Sequence, residues 1–182
     1  MLDFSKNYFE LFGLPVGFIV DTDALAENYR ELQRVIHPDR YASASEQERR
    51  FSVQGASRIN EAFETLRDPI GRASYLLTLY GIEMDAQTET THDMVFLMEQ
   101  MDLREELADI RDQADPYESV LNLSGRISKQ IKTLVGQMAV QFESATPDQL
   151  EAAREILRKM RFLQKLRREV ESVEAELEDE LN

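Results

Sequence analysis

The sequence has no cysteine, and it has only two histidines among its 182 residues. A chain without cysteine can form no disulfide, and it can supply neither a thiolate ligand nor a cysteine nucleophile. A zinc site would have to use carboxylates for most of its ligands, because the usual nitrogen and sulfur donors are scarce. We therefore expect no bound metal and no cofactor.

Glycine and proline are also scarce, with 7 and 5 residues respectively. Both residues interrupt helices, whereas Ala, Leu, Glu, Arg and Gln, which favour helices, dominate the chain. With 42% hydrophobic residues, the chain has a length that suits one or two small domains. The composition thus predicts an all-α protein.

The sequence lacks both long apolar runs and an excess of basic charge. Its formal net charge is −14, and residues 81–182 carry 23 acidic against 12 basic side chains. Such a surface repels phosphate backbones and anionic lipid, so we expect neither a nucleic-acid nor a membrane partner. No run approaches the roughly 20 apolar residues of a membrane span. Since the N-terminus also lacks the pattern of a signal peptide, we expect a cytoplasmic protein.

Helical periodicity predicts seven helices. They cover about residues 6–12, 21–37, 45–67, 70–80, 92–113, 117–144 and 147–179. Residues 81–91 are polar and aperiodic, and we interpret them as a linker between an N-terminal domain, residues 1–80, and a C-terminal domain, residues 92–182. The last two helices each have a single apolar stripe, which predicts a three-helix bundle. Seven acids and no base follow Arg168, and because acids oppose the dipole at a helix C-terminus, we expect this end to fray.

The gap between the second and third predicted helices contains His37-Pro38-Asp39. One interpretation is a simple turn, because proline ends a helix and aspartate favours turns. In the other interpretation, the loop presents an imidazole and a carboxylate to a partner, and the fixed φ of proline holds it in place. The tripeptide alone does not separate these two interpretations.

Three motifs in order resemble the J-domain of DnaJ-type co-chaperones. The first is Tyr8-Phe9-Glu10-Leu11-Phe12-Gly13-Leu14, the second is the His-Pro-Asp tripeptide, and the third is INEAFETLRDP at residues 59–69 followed by Arg72-Ala73-Ser74-Tyr75. The resemblance implies an antiparallel helical hairpin with a short helix on either side. It also implies a partner, a seventy-kilodalton heat-shock chaperone whose ATP hydrolysis the domain accelerates.

Carried over to this sequence, the resemblance assigns a chaperone-binding site. Asp39 would make the ionic contact to a chaperone arginine, and His37 and Pro38 would shape the loop. Arg30 and Arg34, which lie four residues apart on one helix face, would add positive charge. An Asp–Arg pair of this kind can be bidentate and charge-assisted. Interleaved acids make this face less basic than is usual in the family.

The first helix of the predicted bundle has apolar residues on two faces. At about 100° per residue, one stripe contains Phe96, Leu103, Leu107 and Ile110, and the other contains Met94, Leu97, Met98 and Met101. The first stripe has the shape of a core-facing stripe. The second is either an exposed protein-binding strip, for which methionine is well suited, or simply core, for example at the boundary between domains. Spacing alone leaves both interpretations open.

Residues 96–107, FLMEQMDLREEL, and residues 158–166, RKMRFLQKL, resemble the C-terminal domain of the HscB family, the J-domain co-chaperones of iron–sulfur cluster assembly. The resemblance covers essentially the whole chain. It implies that this surface binds the scaffold protein IscU and presents it to the chaperone HscA. The matched positions are Leu97, Met98, Met101, Asp102, Glu105 and Phe162. Met101 stands where the family often has leucine, and Asp102 where it usually has glutamate.

Two other functions compete with this interpretation. An enzyme is disfavoured, because His37 with Asp39 and His92 with Asp93 have no nucleophile, phosphate loop or oxyanion turn beside them. Glu89 and His92 match one half of a di-iron signature, and the other half is missing. Without thiolates the chain does not hold an iron–sulfur cluster itself. A J-domain adaptor for a different client is the second alternative.

Overall fold

The computed structural model of the protein describes residues 3, 5–37, 41, 44–82, 91 and 93–181, the last of these for its backbone only. Within these ranges the regular structure is helical, and no strand occurs. The chain divides into two compact units, Met1–Ile82 and Glu83–Asn182. The predicted all-α class is confirmed.

Four α-helices occur among the described residues of the first unit: α1 (Tyr8–Leu11), α2 (Thr22–Ile36), α3 (Glu46–Arg67) and α4 (Pro69–Leu79). Each begins after a polar side chain that accepts hydrogen bonds from the free N–H groups of the first turn, namely Asn7, Asp21, Ser45 and Asp68. Asp68 also closes α3, so a single residue separates two helices. The predicted start of α4 at residue 70 is one residue late, because an Asp-Pro pair is a start signal as well as a stop signal.

Helices α2 and α3 form an antiparallel hairpin. The end of α2 meets the beginning of α3, where Ser52 contacts Ile36. Farther from the loop, the rings of Tyr29 and Phe63 stack with centroids 4.0 Å apart. The apolar side chains buried in this unit come from all four helices and from the segments between them: Phe9, Leu11, Phe12, Phe18, Leu25, Ile36, Ile59, Ala62, Leu66, Ile70, Ala73, Leu76 and Leu77.

The second unit contains α5 (Met94–Ala108), a 3₁₀ turn (Ile110–Asp112), α6 (Pro116–Gln141) and α7 (Pro147–Leu181). Helix α6 packs along α7, and α5 with the 3₁₀ turn completes the bundle. One cluster of buried residues fills its centre: Phe96, Leu103, Ile110, Val120, Leu123, Ile127, Leu163, Leu166, Val170 and Leu177. Because each helix contributes one apolar stripe, the three-helix bundle forms as predicted.

Several boundaries in the second unit differ from the prediction. Helix α5 ends at Ala108 rather than near residue 113, and the 3₁₀ turn that follows places Ile110 in the core. Helix α6 begins with Pro116 after Asp115, another Asp-Pro start signal. Helix α7 is helical to Leu181, where the sequence predicts a frayed end.

Candidate functional site

The predicted chaperone-binding loop follows directly from the end of α2. Ile36 is the last residue of this helix, and His37, an exposed residue with φ −54° and ψ 129°, leaves the helical conformation. That conformation is expected, because a residue before proline is disfavoured in the α region. Pro38, Asp39 and the neighbouring residue 40 lie outside the described residues. The structure therefore describes the loop only up to His37.

A buried hydroxyl supports the point where the loop begins. Ser52 on α3 is completely buried, and its Oγ donates a hydrogen bond of 2.7 Å to the main-chain carbonyl of Ile36. The last carbonyls of a helix have no partner within the helix, and Pro38 has no N–H to offer. A side chain from the facing helix fills this role. Sequence analysis missed Ser52, because a serine inside a helical pattern gives no local signal of such a contact.

A polar and aromatic belt holds α2 against α3 away from the loop. The Tyr29 hydroxyl donates to Asn60 Oδ1 at 3.0 Å, and Gln33 Nε2 donates to the Tyr29 hydroxyl at 3.1 Å. Since Tyr29 and Gln33 face α3, the predicted charge contacts Arg30 and Arg34 both project into solvent. The structure thus places these two arginines on the accessible side of the hairpin, together with the last turn that leads to His37.

The first and third J-domain motifs meet in the structure. The Tyr8 and Tyr75 rings stack with centroids 4.3 Å apart, and the Tyr8 N–H donates to the Tyr75 hydroxyl at 3.0 Å. The Arg58 guanidinium lies 5.5 Å from the centre of the Tyr8 ring and donates to the carbonyl of Lys6 at 2.7 Å. Burial, together with a hydrogen bond to Glu61, raises the pKa of Tyr8 to about 12. These contacts join α1 to α3 and α4.

The third motif also contains a buried cation. Arg72 Nε donates to the carbonyl of Leu66 at 2.8 Å, and Arg72 Nη1 donates to the carbonyl of Phe18 at 2.5 Å. The guanidinium carbon also lies 5.3 Å from the centre of the Phe18 ring. Burial lowers the pKa of Arg72, and the charge of Asp68 partly opposes this effect. Arg72 therefore ties the segment before α2 to the turn between α3 and α4.

Helix α5 has one buried and one exposed apolar face, a distinction that the spacing of its two stripes left open. Phe96 and Leu103 belong to the bundle core. Met94, Met98 and Met101 are instead 65–70% exposed. These three side chains, which we call the methionine strip, lie within about 60° of each other around the helix, at 100° per residue. Their exposure excludes a place in the core of the bundle.

The other predicted client-binding residues lie around the methionine strip or behind it. Asp102 and Glu105 are exposed on α5, and Leu97 is half-buried. Phe162, on α7, is also half-buried, and its ring lies edge-on to Phe96 with centroids 5.8 Å apart. Phe162 is therefore joined to α5 through the core, as a partly exposed aromatic at the edge of its stripe.

Sequence analysis missed one exposed apolar residue at the beginning of the strip. Val95 is 69% exposed, and it adjoins Met94 in the first turn of α5. Its position one residue after Met94 places it outside the 3- and 4-residue spacing that marks the strip. The exposure of Val95 can be recognised from the sequence only when the buried face of α5 is already known.

The start of α5 is held by ionic and polar contacts to α7. Asp93 caps the helix by accepting from the N–H groups of Val95 and Phe96, each at 3.1 Å, and Lys159 Nζ donates to it at 2.5 Å. The Lys159 hydrogen bond, followed by that of the Phe96 N–H, lowers the pKa of Asp93. In sequence, Asp93 adjoins His92, and such a pair can belong to an active site. The contacts of Asp93 are those of a helix cap, and His92 lies outside the described residues.

Two other kinds of site are absent from the described part of the chain. No group of three or more histidine, aspartate or glutamate side chains there is arranged to hold a metal ion. Among the described helices, none combines the length and the apolar character needed to cross a membrane. Glu89 and His92, which match half of a di-iron signature without its other half, are residues that the structure does not describe.

Two family models match the chain. One, described as the DnaJ domain, matches residues 7–75. The other, described as the HSCB C-terminal oligomerisation domain, matches residues 92–171. A J-domain followed by a helical bundle defines the protein as a J-domain co-chaperone.

Individual relatives then identify the family. A protein named co-chaperone HscB homolog from Vibrio atlanticus is 45% identical over 94% of this chain and 98% of its own length. The solved structure of chaperone HscB from Vibrio cholerae has a TM-score of 0.85 and 42% identity, covering 94% of this chain and 99% of that one. Human co-chaperone HscB has a TM-score of 0.84 and 32% identity, covering 93% and 82%. The chain belongs to the HscB family of co-chaperones.

Proposed function

We propose that this protein is a co-chaperone of iron–sulfur cluster assembly that joins a scaffold client to a chaperone. Residues 1–80, the J-domain, stimulate ATP hydrolysis by an HscA-type chaperone. Residues 92–182 bind an IscU-type scaffold, and residues 81–91 link the two parts. Membership of the HscB family supports this proposal. The observation that supports it is the exposure of Arg34 and His37 in the first unit and of the methionine strip in the second.

The chaperone contact depends on charge at the His37-Pro38-Asp39 loop and on the adjacent face of α2. A carboxylate at Asp39 can form a charge-assisted pair with an arginine of the chaperone. Arg30 and Arg34 project into solvent on the same helix that leads into the loop. Their charges would steer an acidic surface of the chaperone toward the loop, an effect that weakens as salt increases.

The scaffold contact depends on the methionine strip with its acidic border. Met98 and Met101 offer exposed, flexible apolar side chains, which adapt well to a partner surface. Asp102 and Glu105 lie beside them. This arrangement fits a client surface that has an apolar patch bordered by basic residues, because buried apolar contact supplies affinity and rim charges supply specificity.

Two modest binding sites on one chain can act together. When the scaffold is bound at one site and the chaperone at the other, the two partners are held close to each other. The effective concentration of each near the other rises, although no new contact forms. ATP hydrolysis by the chaperone would then be coupled to the presence of its client. The protein itself performs no chemical step in this scheme.

An ATPase assay tests the chaperone half of the proposal. We expect the full chain to accelerate steady-state hydrolysis by purified HscA, and Asp39→Asn to abolish the acceleration. Asp23→Asn is a matched control, because Asp23 is an exposed aspartate on the same unit, at the opposite end of α2. If the wild-type chain does not stimulate HscA, or if Asp39→Asn stimulates equally well, this half of the proposal is wrong.

Calorimetric titration with purified IscU tests the client half independently. We expect Met101→Ala to weaken binding about tenfold or more, because it removes apolar contact at the centre of the strip. Leu121→Ala is the matched control, since Leu121 is an exposed apolar residue on α6. If stimulation of HscA persists but IscU does not bind, the protein is a J-domain adaptor for a different client.

A further inference from the structure

The five methionines in the described residues fall into two sharply different groups. Met94, Met98 and Met101 on α5 are 69%, 65% and 70% exposed. Met138 and Met160 are completely buried in the second unit. The three exposed thioethers also share one helix face, at spacings of four and three residues. A reagent that reacts with thioethers from solvent would therefore meet all three in one place.

The chemistry of this place is the oxidation of sulfur. A thioether lone pair attacks one oxygen of a peroxide, the O–O bond breaks, and the leaving hydroxide takes up a proton to give water. Sulfur gains one oxygen and loses two electrons, and the peroxide is reduced by two electrons. The product, methionine sulfoxide, is polar and chiral, and sulfoxide reductases restore the thioether at the expense of a thiol couple.

We propose that Met94, Met98 and Met101 form an oxidation site at which a peroxide converts the methionine strip from an apolar to a polar surface and so switches off client binding. The inference rests on the proposed function, because the affected contact is the one assigned there to the IscU-type scaffold. It adds to that surface a chemical modification, the oxidation of methionine, and a direction of regulation, the loss of client binding.

The rest of the chain favours reaction at the strip. Thiols are the usual competing targets for peroxide, and this sequence has no cysteine. The two buried methionines are shielded from solvent by the bundle. Susceptibility to oxidation follows exposure, so the strip contains the most accessible oxidisable sulfur atoms in the described residues.

Oxidation at this face leaves the fold intact. The strip projects away from the core, whereas Phe96 and Leu103 hold the opposite side of α5 within the bundle. Asp93 and Lys159 secure the start of the helix. A sulfoxide at Met98 or Met101 therefore meets water rather than a packed interior, and it changes the surface without opening a cavity.

The test treats the full chain with hydrogen peroxide in a time course and follows three measurements. Peptide mapping by tandem mass spectrometry should show sulfoxide at Met94, Met98 and Met101 well before Met138 and Met160. Circular dichroism should show unchanged helix content and melting. Calorimetry with purified IscU should show affinity reduced at least about tenfold, the size expected when apolar contact is lost.

Two comparisons separate oxidation of the strip from other damage. Treatment of the oxidised protein with the two methionine sulfoxide reductases, which reduce opposite epimers, should restore the affinity of the untreated chain. The triple variant Met94→Leu, Met98→Leu and Met101→Leu should show the same IscU affinity before and after peroxide, whatever its starting value.

The outcomes distinguish this inference from the proposed function. If untreated protein binds IscU and fully oxidised protein binds equally well, the switch is wrong and the proposed function stands. Oxidation of Met138 and Met160 at the same rate as the strip, or a loss of helix content, would also overturn it. If untreated protein does not bind IscU, the client half of the proposed function fails, and the switch falls with it.

Discussion

The Ser52 hydroxyl on α3 donates a 2.7 Å hydrogen bond to the carbonyl of Ile36, the last residue of α2. Ile36 and Ser52 are both buried, so water does not replace this contact when it is lost. The contact joins the two helices of the hairpin at the point where the His37-Pro38-Asp39 loop leaves α2. A residue outside the motif thus supports the end of the helix that precedes the motif.

Ser52→Ala should lower the free energy of unfolding of the J-domain by about 1–3 kcal/mol, because a buried carbonyl loses its only described donor. Urea denaturation followed by circular dichroism measures this change. Ser57→Ala is the matched control, since Ser57 is an exposed serine on the same helix, where the effect should stay within about 0.5 kcal/mol. Equal effects of the two variants would show that the Ser52 hydrogen bond contributes nothing.

The same variant should also weaken chaperone stimulation under conditions where the protein remains folded. A loop whose starting point is less constrained pays more conformational entropy on docking. We expect the concentration of Ser52→Ala needed for half-maximal HscA stimulation to rise, while the maximal rate stays near that of the wild type. A fall in the maximal rate alone would contradict this explanation.

Arg72→Leu should destabilise the first unit by about 2–5 kcal/mol, because it leaves the buried carbonyls of Leu66 and Phe18 without their donor. Arg67→Leu is a suitable comparison. Arg67 is exposed, and its 3.6 Å ion pair with Glu64 lies on the surface, where such pairs contribute about 0–1 kcal/mol. Thermal melting of both variants beside the wild type would measure the difference, and similar melting temperatures would refute it.

Asp93→Asn should cost stability at neutral pH and progressively less in acid. The pKa of Asp93 is lowered in the folded protein, chiefly by Lys159. The ionised carboxylate therefore contributes stability at any pH above its pKa in the unfolded chain, and this contribution is lost as pH falls through its pKa in the folded protein. Asparagine keeps the helix cap but removes the charge. The melting temperatures of wild type and variant should therefore converge as pH falls below 3.8, the ordinary pKa.

A second substitution checks the assignment to Lys159. In a Lys159→Met background, the ion pair is already absent, so Asp93→Asn should change the melting temperature less than it does in the wild type. If the effect of Asp93→Asn is the same with and without Lys159, or if it does not diminish in acid, the ion pair is not the cause.

Arg111→Ala should loosen the end of α7. Arg111, in the 3₁₀ turn, binds Glu176 at 2.7 Å and Glu180 at 2.8 Å. The hydrogen bonds that its guanidinium donates to Glu180 and then to Glu176 raise the pKa of Arg111. Without the Arg111 charge, the unfavourable interaction between the acids at this end and the helix dipole is no longer offset. Hydrogen exchange in residues 172–181 should become faster, and added salt should reduce the difference from the wild type.

Arg50→Ala provides the comparison for this prediction. Arg50 forms an exposed pair with Glu46 within α3, so its loss removes a surface ion pair without freeing a helix end. We expect no change in exchange near residue 180. Unchanged exchange there in Arg111→Ala would mean that helical propensity alone maintains the end of α7.

The features that sequence analysis predicted correctly depend on local interactions. Helix starts follow from capping residues such as Asp21 and Ser45, and helix faces follow from apolar spacing. The resemblance to HscB, carried by short motifs, is confirmed by the comparisons. The assigned binding residues remain predictions, and Pro38 and Asp39 lie outside the described residues.

The sequence by itself determined the helical class, the order of the helices and the family, because periodicity, caps and motifs act over a few neighbouring residues. Only the tertiary structure decided which face of α5 is open, and it did so by burying Phe96 and exposing Met98. It also decided that Ser52 binds the end of α2 and that Arg111 binds the acidic end of α7. These contacts join residues that are distant in the chain, and no local pattern specifies such a pairing before the helices pack.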